Sequence, residues 1–283
     1  MTVPRRTLII FLLVGAFGSW LIHRQLPAVG AGGLLHPVRR GVTTAAPPTC
    51  EDTTFAGAGA TLKGWRCQGS TPRRGTLIYL HGVADNRSSA TGVIRRFGGR
   101  GFDVWAYDSR AHGESEGDVC TYGYFEKDDL KHILDTVDEG PVLLMGTSLG
   151  AAVALQSATH PKVTTIVAVE SFSDLRTVAT ERAPFFFTTG VIAGAFQLAE
   201  ARGRFRVDDV SPIVAARSIT IPVLLIHGDS DRETPPTHSQ RLIEALGGPK
   251  RLILVPGAGH NQSLRADVWT EIEAWVDSVI SDQ

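Results

Sequence analysis

From residue 76 onward, short runs of β-branched and apolar residues alternate with longer stretches whose apolar positions recur every three or four residues. The short runs, at 76–80, 103–107, 142–145, 165–169, 223–226 and 252–255, read as buried strands. Helical periodicity covers 125–137, 149–159, 238–246 and 266–280. In the last of these Val268, Ile272, Trp275, Val276 and Val279 share one face, while Glu271, Glu273 and Asp277 take the other. Such alternation predicts an α/β fold, a mostly parallel central sheet with helices on both faces. Between Glu170 and Ile221 the rhythm breaks for about fifty residues, too long for an ordinary connection. That stretch, about 171–220, reads as a small helical lid insertion, and its run Pro184-Phe185-Phe186-Phe187 either as lining for an apolar pocket or, equally, as the core packing of a crossover helix.

The front of the chain has a different texture. Arg5 and Arg6 precede residues 8–22, LIIFLLVGAFGSWLI, 15 positions without a charge. A basic start followed by such a run is what translocation machinery reads, so residues 1–24 are expected to be a signal anchor or a cleaved signal peptide. The anchor is preferred, because Ala28-Val29-Gly30 is a weak cleavage site set behind the polar pair His23-Arg24. The domain would then sit outside the cytosol, membrane-anchored, or secreted if the leader is cleaved. Residues 25–49, rich in Pro, Gly, Ala and Thr, read as a linker with no element of its own. Residues 50–283 form the folded domain.

Charge sharpens this division. The first fifty residues carry five arginines and no carboxylate, leaving 23 basic against 29 acidic residues in the body. Nothing there forms a basic stripe, so a nucleic-acid partner is excluded. Three cysteines do not make a disulfide-dense scaffold. A hairpin that pairs Phe55 with Leu62 would put Cys50 opposite Cys67, where an oxidising compartment allows a disulfide, with Cys120 left as a thiol. The nine histidines show no metal-binding spacing, so neither a metal nor another cofactor is expected.

The chemistry lies just after the strands, where ligands of open α/β sheets bind. After 142–145 comes Gly146-Thr147-Ser148-Leu149-Gly150, a serine on a sharp strand-to-helix turn flanked by small residues. At a helix N-terminus the N–H of Leu149 is an oxyanion donor, and after His81-Gly82 the N–H of Val83 can point at the same place. Asp229 and Asp231 follow 223–226, and His260 follows 252–255. A serine hydroxyl needs a neutral imidazole to take its proton, and the imidazole needs a carboxylate to fix its tautomer. His81 is read as structural.

Together these pieces resemble the α/β-hydrolase superfamily, in the branch of serine-aminopeptidase-like and monoacylglycerol-lipase-like esterases. The resemblance rests on Leu80-His81-Gly82, the stretch from Tyr107 to Ser115 (YDSRAHGES), Gly146 to Gly150, Ile226-His227-Gly228-Asp229-Ser230-Asp231 with Pro235, and Gly259-His260. It implies Ser148 as nucleophile, Asp231 as acid, His260 as general base, and Val83 and Leu149 as oxyanion-hole amides. Asp231 is preferred to Asp229 by its place four residues after His227. Glu170 and Asp174 are weaker candidates for the acid. Ala111 departs from the commoner Arg-Gly-His-Gly. The expected activity is a serine hydrolase acting on small-molecule acyl substrates, esters before thioesters before amides. A serine aminopeptidase and a non-catalytic binding protein of the same fold are the alternatives.

Overall fold

A computed structural model describes residues 24–280. The apolar run 8–22 lies outside the described residues; among them, no helix is long and apolar enough to cross a membrane. An eight-stranded sheet runs in the order β1-β2-β4-β3-β5-β6-β7-β8. Its central strands are β3 (Gly75–Leu80), β4 (Phe102–Tyr107), β5 (Val142–Thr147), β6 (Val163–Val169), β7 (Val223–Gly228) and β8 (Lys250–Val255), all paired in parallel. β1 (Cys50–Ala56) and β2 (Thr61–Cys67) add an antiparallel hairpin at one edge. Their register pairs Phe55 with Leu62 and Cys50 with Cys67, and the two cysteines form a disulfide. Cys120 is a buried free thiol.

β3 and β7 are buried along their whole length because helices cover both faces, which explains their unbroken apolar runs. The chain steps from β3 out to β4, then returns to the other side of β3 with β5. That reversal opens a crevice at the carboxyl ends of β3 and β5. One side is covered by α2 (Thr91–Gly98) and α9 (Ala266–Ile280), whose Val93, Phe97, Ile272 and Val276 share one apolar cluster. The other is covered by α3 (Glu126–Asp135), α4 (Leu149–Gln156) and α8 (Thr237–Ala245).

The break in the rhythm is helical. It holds α5 (Leu175–Glu181), α6 (Thr189–Gly203) and α7 (Pro212–Ala216), and Asp174 and Thr188 cap the first two through their side chains. Two expectations need correction here. Residues 24–35 are helical (α1), although 25–49 reads as linker, and Ala31 and Leu35 are fully buried in a cluster with Phe172, Phe196 and Phe205. Glycine and alanine hid this element: with few large side chains it has no visible period, yet those small residues allow close helix packing. A Cβ on Gly30 would come within 2.9 Å of the Ala195 Cβ. The aromatic run also divides. Phe187 turns inward, whereas Phe185 and Phe186 project into solvent.

Candidate active site

One residue separates the end of β5 from the start of α4, and it is Ser148, with φ +49° and ψ −111°. That left-handed backbone is costly for a side-chain residue and is held by packing on both sides. Ser148 N donates to Val169 O at 2.8 Å, and Ala152 N donates to Ser148 O at 3.1 Å. The flanking glycines are required: a Cβ on Gly146 would overlap Gly150, and one on Gly150 would strike the Leu80 carbonyl. Ser148 is buried except for its path to the crevice, with 4% of its surface exposed.

His260, from the loop after β8, brings Nε2 to 3.1 Å from Ser148 Oγ. Its Nδ1 lies 2.7 Å from Asp231 Oδ2. Asp231 is anchored in turn, because Oδ1 accepts from the N–H groups of Glu233 and Thr234, both at 2.9 Å. Burial would raise the Asp231 carboxyl, but contacts from His227, His260 and the Thr234 N–H hold it well below the usual carboxylate range. His227 Nε2 sits 2.7 Å from Thr234 O and 3.4 Å from Asp231 Oδ2, so its proton goes mainly to the carbonyl.

The other carboxylates have different work. Asp174 accepts from Thr177 N at 2.8 Å as the cap of α5, and Asp229 accepts from Gly257 N at 2.7 Å. Glu170, at φ +54° after β6, pins the histidine loop. It accepts from Asn261 N at 2.5 Å and from Ser263 N and Oγ at 3.2 and 2.5 Å. Its Oε2 is 3.5 Å from His260 Nδ1, farther than the Asp231 oxygen. Ligand atoms of Glu170, Asp231 and His260 lie within 4.8 Å of one another, and each group is engaged inside this network.

Val83 lies across from the serine: a Cβ on Gly82 would be 3.6 Å from Ser148 Cβ. The amides of Val83 and Leu149 donate to no other described residue. His81 is structural in geometry, with Nδ1 donating to Gly82 O at 2.7 Å and Nε2 accepting from Ser109 N at 2.9 Å. Behind it Asp108 ties the loop after β4, accepting from Arg87 N at 2.7 Å and Glu114 N at 2.9 Å. Ala111 takes φ +59°, the left-handed region that explains why glycine is commoner there.

A cavity of about 670 Å³ opens over Ser148, His260, Val83 and Glu170. Arg40, Tyr79, Asp85, Ser89 and Arg182 also line it, none of them evident from sequence. Arg182 bonds to Glu233 O at 2.7 Å and Thr234 Oγ1 at 2.5 Å, tying the lid to the Asp231 loop. It also lines a second, apolar cavity of about 360 Å³ between α1, α5 and α6, with Val29, Tyr122, Val178, Phe187 and Phe196. Asn261 and Ser263 neighbour His260 in sequence, which was the one available signal; Arg40 and Arg182 carried none.

Comparison with known proteins agrees with this architecture. An uncharacterized protein of Bacillus subtilis strain 168, YqkD, is 31% identical over 199 residues, 66% of this chain and a little under two thirds (65%) of that relative. YfhR of Escherichia coli K12, also uncharacterized, is 28% identical over 99% of this chain and 95% of its own length. Among solved structures, the Pyrococcus furiosus esterase Pf2001 superposes with a TM-score of 0.69 at 22% identity, covering 87% of this chain and 98% of its own. The mouse alpha/beta hydrolase domain-containing protein 10 gives 0.63 at 23%, covering 82% and 100%. At those identities the likeness speaks for the fold. The family model described as "Alpha/beta hydrolase family" matches residues 77–272, well over half of the sequence, and the chain belongs to that family.

Proposed function

We propose that this hydrolase is a serine esterase working through an acyl-enzyme. The supporting observation is the unbroken hydrogen-bonded line from Ser148 Oγ through His260 to Asp231, at 3.1 and 2.7 Å. In this reading Ser148 Oγ attacks the ester carbonyl carbon while His260 Nε2 takes its proton. Asp231 holds the opposite N–H and stabilises the imidazolium. The amides of Val83 and Leu149 receive the oxyanion, a contribution of roughly 3–4 kcal/mol each. When the intermediate collapses, His260 returns the proton to the departing alkoxide and the alcohol leaves. Water then attacks the acyl carbon with His260 again taking the proton, and the acid and Ser148 are released.

Esters come first because an alkoxide leaves with less help from the general acid than an amine does. The esterase named among the structural neighbours agrees with that order. The apolar cavity beside Arg182 suits the hydrocarbon part of an acyl substrate. The N-terminal segment is assigned as an anchor holding the domain outside the cytosol. Supporting this are Arg5 and Arg6 ahead of the uncharged run and the Cys50–Cys67 disulfide, which an oxidising compartment sustains.

A fluorophosphonate probe tests the chemistry. The folded protein should label, and Ser148→Ala should abolish both labelling and hydrolysis of p-nitrophenyl esters. Folded protein that never labels would instead support a binding protein on the same scaffold. If aminoacyl amides turn over faster than esters, the aminopeptidase alternative replaces the esterase.

A further inference from the structure

The tip of the lid presents two bare rings. Phe185 is 100% exposed and Phe186 51%, their ring centroids 5.4 Å apart. Val29 on α1 is 63% exposed and lines the same cavity as Pro184 and Phe187, so it adjoins this tip. Grouped apolar side chains in water mark a surface that meets something else.

The path of the chain indicates what that is. α1 runs alongside α6 in the same direction. A Cβ on Gly194 would lie 3.2 Å from Pro27, one on Gly30 2.9 Å from Ala195, and one on Gly203 2.8 Å from Leu35. The leading end of α1 therefore lies at the leading end of α6, where the loop with Phe185 and Phe186 enters that helix. The uncharged residues 8–22 join the domain through that same end of α1. The exposed rings and the start of α1, to which the uncharged run is joined in sequence, lie at one end of the helical layer.

We propose that Phe185 and Phe186 form a membrane-interface contact, entering the headgroup–acyl boundary of the bilayer engaged by the N-terminal segment. Aromatic side chains suit that depth, and short apolar contacts gain strength when a second anchor already holds the chain at the surface. The apolar cavity lies directly behind the contact, so the lid faces lipid rather than bulk water. The proposal rests on the anchor assignment and not on the hydrolytic chemistry.

The test uses the full chain in phosphatidylcholine–phosphatidylglycerol vesicles containing a lipid with a headgroup-proximal nitroxide quencher. Cys120 is buried and the other two cysteines are paired, so an introduced cysteine takes the fluorophore. Labels go on Phe185→Cys, on Ser19→Cys in the leader, and on Asp138→Cys, an exposed site just before β5 at the opposite end of the sheet. The label at 185 should be quenched at least about twofold, with the one at 138 unchanged. Equal emission at 185 and 138 overturns the contact. Quenching at 19 in that case leaves the anchor standing, and its absence removes both.

In the double variant Phe185→Ser/Phe186→Ser, hydrolysis of a vesicle-borne ester should fall about fivefold while a water-soluble ester is little affected. Equal losses on both esters would overturn the contact. So would a variant that shifts the detergent-solubilised chain from dimer to monomer while the 185 label stays bright, which assigns the face to a second copy.

Discussion

The rim of the sheet and the helical layer above it are built in opposite ways. At the rim, Ser148, Asp231 and His260 each follow a strand, and their loops are cross-tied through Glu170, Thr234 and Val169. In the layer above, α1 and α6 meet through small residues, and the connecting loop leaves Phe185 bare. Chemistry that needs sub-ångström placement sits where the backbone is pinned by parallel strands. The chain selection and surface contact proposed above would fall where a few side chains can change without disturbing that frame. Substitutions at the rim should therefore alter rate, and those in the layer preference.

The sharpest way to break the comparison is at the two carboxylates near His260. Asp231→Asn should lower kcat on p-nitrophenyl butyrate by a factor on the order of 10³–10⁴, because the imidazole loses its tautomer. Glu170→Gln should cost only about tenfold, since Glu170 positions the loop and sits 3.5 Å from Nδ1. Equal losses would mean that the two carboxylates share one role.

Acid should loosen the frame behind the rim. The buried rings of His81 and His112 lie 5.2 Å apart. Burial, and for His112 the His81 ring as well, pushes both below the ordinary imidazole value, His112 to about 4. Their unfolded forms take up protons first, so stability is complete above about pH 6.5 and falls as pH drops toward 4, by up to about 3 kcal/mol for His112. Melting followed by circular dichroism from pH 7 to 4 should show this decline, and His112→Gln should flatten it. An unchanged slope in that variant would assign the acid sensitivity to other groups.

The smallest effect belongs to the layer. Phe187→Ala enlarges the apolar cavity, and should shift preference toward longer or bulkier acyl chains by a few-fold, with kcat on the best ester nearly unchanged. Hydrolysis rates across a chain-length series would show it. A collapse of rate on every ester would place Phe187 in the frame rather than the pocket.

Much of the rim is legible in the sequence because its signals are local. A short unbroken apolar strand, a turn needing Gly146 and Gly150, and a serine, an acid and a histidine each placed just after a different strand are signals written within a few residues. The hairpin register followed from one pair, and with it the meeting of Cys50 and Cys67. The layer was poorly legible for the converse reason. Half of α1 is glycine, alanine or proline, which blurs any amphipathic period, and it packs against α6, more than 160 residues away in the chain.

What the amino-acid order determined by itself was the sheet, the elbow at Ser148 and the set of candidate partners, since burial patterns and turn chemistry act over short distances. Only the tertiary structure decided that Asp231 lies against His260 while Glu170 holds its loop, that Arg182 borders both cavities, and that Phe187 points in while Phe185 points out. Those outcomes depend on how loops and helices distant in sequence approach one another once the strands are ordered, and no local pattern encodes that approach.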